Sequence, residues 1–274
     1  MISPNRSCRL RFLLLLVLMT AGPVLSQSNF LASEQEIFRH DKQLNQVAEA
    51  LENWLSGRMP QAQLLDILKD ARKQGGPYRT LPKAVGTKLH GWESRLLQSI
   101  EQFASQKAPD AKGQKKLFLS LGSLTESRST ELLQWRKNTL AGLLAKKPDA
   151  TQRAYFEWEL KWIEIWRRET LLTSRLEQAF LDERSALDPR EILKSFLQLT
   201  AQAQQIPVPA NLAQANTTSR ERLTLLTRTA EQLVRLDTRQ SSSALTRVRR
   251  LSRQLSELTS QFQADRLTRL EKLL

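Results

Sequence analysis

The stretch FEWELKWIEIWRRE, residues 156 to 169, holds the side chains best suited to chemistry: Trp158, Trp162 and Trp166 four apart, among Glu157, Glu159, Glu164 and Glu169. Paired acids beside flat rings describe a glycosidase, in which two carboxyl groups face one another across a cleft and aromatic platforms carry the sugar. A helical turn of about 100° per residue sorts these acids. Glu157 with Lys161 and Glu164 with Arg168 fall together as acid-first i, i+4 pairs, which describes a solvated face and not a cleft. Trp158, Trp162, Ile165 and Trp166 span about 100°, and Leu176 and Phe180 prolong the stripe, so the tryptophans read as a core seam and not as a ligand platform. Glu169 lies within about 40° of Trp158 and Trp162, the one acid on that inner side. An acid on an apolar stripe must find a partner, which makes Glu169 the buried-acid candidate and the place to look for a site.

Other chemistries find less support. The chain has two histidines, His40 and His90, and one cysteine, Cys8. Glu36 and His40, four apart, read as a surface pair, since two ligands make a weak metal site and no His-Glu-x-x-His or Glu-x-x-His pattern accompanies them. His90, in KLHGWESR, has Glu93 near it and could act as a base, but triad partners are defined only in space. The sequence contains no Gly-x-Ser-x-Gly elbow, no Ser-x-x-Lys and no phosphate-cradling glycine loop. The expectation is a protein with no catalytic residues, no metal and no cofactor.

The first 26 residues order three arginines (Arg6, Arg9, Arg11), an apolar run from Phe12 to Met19 and the small-residue end TAGPVLS, the pattern of a secretory signal peptide cleaved near Ser26. About 15 apolar or small residues fall short of the roughly 20 that span a bilayer. An uncleaved membrane anchor is the alternative. Cleavage would remove the single cysteine and leave 248 residues held by packing alone in a periplasmic or extracellular space. It would also leave 39 basic residues against 28 acidic ones, a net charge of +11 that favours anionic surroundings.

The elements that must position these residues are helices. Leucine occurs 50 times against 7 valines and 8 isoleucines, and residues that lose little rotamer freedom on a helix dominate. The fold class is all-α: an elongated multi-helix bundle with a coiled-coil-like C-terminal section. Ser33 and Glu36 read as a capping box opening a first helix that runs to about Ser56. Helices follow over 61–74, 82–106, 112–147 and, with Asp149 and Gln152 as a second capping box, 151–186. Asp188, Pro189 and Glu191 start the next helix. Ile206-Pro-Val-Pro-Ala210 forms a stiff link, and Thr218 and Glu221 open the last section.

The predicted organisation is a helical bundle over 27–206, a Pro-containing linker over 207–218 and an Arg-rich amphipathic section over 219–274, which could belong to the same bundle. Asn216-Thr-Thr218 matches a glycosylation acceptor and would mark an exposed linker in a secreted eukaryotic chain. In the last section Val248, Leu251, Leu255, Leu258 and Phe262 form a seam, suited to two antiparallel helices joined near Ser241 or to one long helix. It carries eleven arginines, one lysine and six acids, a net +6. Arg239, Arg247, Arg250 and Arg253 are the anion-binding candidates, although a solvated face with intrahelical ion pairs explains most of these arginines.

These features point to an exported, non-enzymatic interaction or scaffold protein of the cell envelope or extracellular space, with a protein partner. The alternatives are a binder of anionic lipid or polysaccharide through the C-terminal arginines and a glycan-active enzyme using acids beside the tryptophans. Nucleic acid is an unsuitable partner for an exported chain, and the leucine seam allows self-association.

Overall fold

In the computed structural model the described residues are 26–106, 110–209, 212–235 and 242–274; the signal-peptide reading of residues 1–25 and the candidate Arg239 lie outside them. The fold is all-α. Among the described residues there are eight helices and no strand: α1 Gln27–Leu55, α2 Gln61–Gln74, α3 Lys83–Ala104, α4 Ala111–Ala145, α5 Ala150–Leu181, α6 Pro189–Gln204, α7 Ala213–Arg235 and α8 Ser242–Leu273. Each helix packs on the next along the chain, and α8 returns to pack on α1, so the series closes on itself. Gln35 bonds Glu271 and Arg249 bonds Glu52, a crossed order that makes α1 and α8 antiparallel. Arg222 with Thr259 and Arg247 with Gln232 show the same for α7 and α8.

Several starts and stops depart from the sequence reading for local reasons. α1 begins six residues before Ser33 because Ser26 accepts the amide of Asn29 at 3.2 Å and so supplies the cap. Ser33 is therefore mid-helix, donating to the carbonyls of Asn29 and Thr80, both at 2.9 Å. Glu36 caps something else: its carboxylate accepts the amides of Arg79 and Thr80 and the Thr80 hydroxyl, pinning the segment that leads into α3. Asp149 accepts from the Gln152 amide as expected, while the Gln152 side chain reaches the Leu273 carbonyl at the end of α8. α5 stops at Leu181 because Asp182 turns extended and accepts the Arg184 amide.

The span 207–218 is not a linker throughout. α7 begins at Ala213, which places Thr218 inside the helix, and Asn216 is buried where it accepts the indole N–H of Trp162 at 3.2 Å. A buried, bonded Asn216 is no exposed glycan acceptor. Leu223, Leu226 and Leu233 of α7 and Leu251, Phe262 and Leu270 of α8 share one apolar cluster with Trp158, Trp162 and Phe196. The Arg-rich section thus completes the main core. A second, smaller cluster joins the C-terminal half of α1 to α2 and α3 around Val47, Leu64, Leu68 and Ile100.

Candidate functional site

α5 packs on α4 and α6 and also touches α7 and α8, so more than one of its faces is interior. Trp158, Trp162 and Trp166 are all buried, with Trp162 sealed completely. Their rings step along the helix at 6.2 and 6.0 Å, and Trp166 meets Phe262 of α8 edge-on at 4.9 Å. Such spacing is that of packed aromatic pairs and leaves no open plate for a ligand.

Glu169 is buried and accepts from Nε of Arg222 on α7, whose Nη1 also bonds the Thr259 hydroxyl. Its second oxygen is buried without a hydrogen-bond partner, and burial pushes the carboxyl above its usual range despite the opposing charge of Arg222. Glu169 is not alone on the inner side, because Glu159 is buried too. The 100° rule assigned one inner face, whereas a helix with neighbours on several sides has more. Glu164 bonds Lys137 of α4 at 2.5 Å instead of forming the i, i+4 pair read with Arg168.

Glu159 belongs to an ion cluster that joins four helices. Arg136 of α4 grips Glu34 of α1 through Nε at 3.0 Å and Nη2 at 2.8 Å. Arg266 of α8 grips the same carboxylate through Nη1 at 2.5 Å and Nη2 at 3.0 Å, and its Nε donates to Glu159 at 2.7 Å. All four side chains are buried, and two acids balance two guanidiniums. Burial alone would raise the Glu34 carboxyl, but the charges and hydrogen bonds of Arg136 and Arg266 outweigh it and hold the pKa at about 2.

A second cluster centres on Glu93 of α3. Its Oε1 accepts from the Tyr78 hydroxyl at 2.6 Å and from Arg128 Nε at 2.7 Å, and its Oε2 meets His40 Nδ1 at 2.9 Å. Arg128 also pairs with Asp41 of α1 at 2.7 Å, and the His40 and Tyr78 rings stack at 4.1 Å. Gly86 admits Tyr78, since a β-carbon there would stand 3.0 Å from the Tyr78 β-carbon. Burial works to raise the Glu93 carboxyl, and the Arg128 charge with the His40 and Tyr78 contacts brings it down to about 2. A carboxylate so held can only accept, so Nδ1 of His40 is the donor in this contact. The pair read from sequence as Glu36 with His40 is replaced by Glu93 with His40.

This cluster borders a cavity of about 240 Å³ between α1, α2 and α3. His40, Gln43 and Leu44 line it from α1, Ala71 and Arg72 from α2, and His90, Glu93, Ser94 and Leu97 from α3. Among the described residues no group of three His, Cys, Asp or Glu side chains is placed to hold a metal ion. A second, shallower groove on α7 is lined by Thr217, Arg220, Glu221, Thr224, Leu225 and Arg228.

The C-terminal arginines divide by role. Arg247 donates to Gln232 at 3.3 Å, Arg253 stands 3.6 Å from Glu257 one turn on, and Arg250 is exposed. Arg222, Arg249 and Arg266, not among the candidates, pair with acids of other helices, Arg249 with Glu52 at 2.9 and 3.0 Å. Sequence reasoning also missed Glu34, Asp41, Arg128, Arg136 and Tyr78. A signal existed: acids seven apart on α1 (Glu34, Asp41) meet arginines eight apart on α4 (Arg136, Arg128), the register of two antiparallel helices.

Compared with protein-family models, with curated proteins and with solved structures, the chain has no match.

Proposed function

We propose that the chain is an exported, non-enzymatic helical module that joins partners in the cell envelope or outside the cell. The observation that carries this reading is the internal use of the acids that sequence would enlist for catalysis. Glu159, Glu169 and Glu93 are each tied to an arginine of another helix. The cavity and the α7 groove have one carboxylate apiece, so neither offers the facing pair that glycoside hydrolysis needs. Buried ions fixed in this way favour a rigid body whose business is at its surface. Leu171, Leu197 and Val208 project from that surface as large apolar side chains.

Photocrosslinking from positions 171 and 197 in the native envelope should give a discrete, saturable adduct with an envelope protein. Glycan hydrolysis that disappears in Glu159→Gln, or no adduct at any concentration, would overturn the reading.

The α7 groove favours a second one. Arg220 and Arg228 lie two turns apart on one helix face with Thr217 and Thr224, opposed only by Glu221, an arrangement suited to an anionic lipid headgroup or polysaccharide. Retention on acidic phospholipid vesicles that falls steeply from low to moderate salt supports this second reading, and its absence at low salt removes it.

A further inference from the structure

We infer that the cavity between α1, α2 and α3 is a binding site for a small primary ammonium ion, a reading that stands apart from any surface partner. Charge is the first observation. The Glu93 cluster on the cavity wall is unbalanced, because Glu93 and Asp41 share the one guanidinium of Arg128. Glu36, one turn before His40, adds a third acid whose own partners are neutral, two amides and a hydroxyl. Arg72, the guanidinium in the lining, stands 2.5 Å from Glu101 and so adds no net charge. Negative charge held out of water with too few counter-charges calls for a cation.

Free acceptors are the second observation. Glu93 is buried, and with two donors on Oε1 and one on Oε2 it keeps a lone pair on Oε2. His40 is buried too; its Nδ1 donates to Glu93, and among the described residues its Nε2 bonds nothing. In a neutral ring that nitrogen is an acceptor. Gln43 gives its amide N–H to Gln74, which leaves its Oε1 open. Ala71, Arg72 and Gly75 bring the C-terminal end of α2 to the same wall, where a helix presents unpaired carbonyls and about half a negative charge. With no group of three metal-ligating side chains among the described residues, the guest is an organic N–H donor and not a metal ion. Leu44 and Leu97 supply an apolar side for its carbon chain. The volume of about 240 Å³ corresponds to roughly eight waters at their liquid share, which suits a short alkylammonium.

Propylammonium chloride is the probe, titrated into the full chain at pH 8, where an imidazole is ordinarily neutral. Sodium chloride, sodium propionate and tetramethylammonium chloride of equal ionic strength are the controls. Nitrogen-15 spectra of His40 and His90, the two histidines of the chain and both in the lining, should move along one saturable curve with propylammonium alone. Asp41→Asn keeps the size of the side chain and leaves Glu93 balanced by Arg128, so it should weaken binding about tenfold. Gln43→Leu removes one neutral acceptor and should weaken it about threefold. Arg72→Gln should act in the opposite direction and tighten binding about threefold, because Glu101 is left as an uncompensated acid at the rim. Gln43 and Arg72 are partly exposed, so these two variants keep the fold and test the site without Asp41. Unmoved or linearly drifting imidazoles, an equal response to propionate or to tetramethylammonium, a His40 ring already doubly protonated in the free chain at pH 8, or weaker binding in Arg72→Gln would each overturn the assignment.

Discussion

The two buried ion clusters are built from the same parts and end differently. Around Arg266, two carboxylates and two guanidiniums interlock from α1, α4, α5 and α8, at the centre of the main core. Around Glu93, two acids share one guanidinium with a histidine and a tyrosine, and one wall of the assembly is a cavity. Taking charges out of water is repaid only by good geometry and full hydrogen bonding. Arg266 matches charge with charge, although one buried oxygen of Glu159 is left without a hydrogen-bond partner. Glu93 approaches full bonding with the Tyr78 hydroxyl and the His40 ring as further partners. The difference separates an ion cluster enclosed by the main core from one that borders a cavity.

Acid should produce the largest effect, and both clusters contribute to it. Glu34 and Glu93 have folded pKa values of about 2, below the 4.5 of a free glutamate, so each adds stability above the free value that is lost as pH falls through about 2. The urea midpoint should drop steeply below pH ~4.5, and Glu93→Gln should flatten part of that drop, the rest belonging to Glu34 and to the lowered carboxyls of Glu36 and Glu164. A variant that retains the whole slope would mean that one cluster carries it alone.

Next in size is Arg266→Leu, which strands Glu34 and Glu159 inside the core. It should cost about 3–5 kcal/mol in urea unfolding, the range for breaking a buried pair from one side. Arg128→Leu should cost less, about 2 kcal/mol, because Glu93 keeps its His40 and Tyr78 partners and Asp41 lies nearer the surface. Equal losses from the two arginines would erase the distinction drawn here.

Two smaller effects set the scale. Glu177 of α5, against Glu126 of α4, is pushed up to about 8 by burial and by that neighbouring charge. A folded value above the unfolded one means that stability is full below about pH 4.5 and declines as pH rises through about 8, so Glu177→Gln should remove this alkaline decline. Glu177 is partly open to solvent, so the gain at pH 8 should be about 1 kcal/mol or less. Gly122 makes room for it, since a β-carbon there would collide with its carboxylate. Arg253→Ala should change stability by no more than about 0.5 kcal/mol, as expected for an exposed i, i+4 pair.

The sequence made the all-α class legible through leucine, the scarcity of β-branched residues and the Pro and Asp punctuation, with α2 bounded to the residue and α6 started by Asp188 as read. It also placed Glu169 on the inner side of α5. It misread caps wherever the partner comes from elsewhere: Glu36 looks like a local cap for Ser33 three positions back, yet its partners are the amides 43 and 44 positions on. The clusters were hidden for the same reason, since Glu34 meets Arg266 across 232 positions and His40 meets Glu93 across 53. Helical periodicity assigns a face, not the helix that covers it. On α5, covered on several sides, it could not announce Glu159.

The return of α8 onto α1 also bears on how the chain reaches its native state. Gln35 and Glu271 meet across 236 positions, and Arg249 and Glu52 across 197, so the seam between the first and last helices closes one of the longest loops the chain can make. Loop-closure entropy must be met before such contacts return anything, and proteins dominated by distant contacts fold slowly. A chain that emerges from its N-terminus presents α1 with Glu34 unpaired until α4 and finally α8 arrive. Completion therefore waits on the last helix, and a chain cut before Arg266 would keep most of its helices and lose the member that locks them.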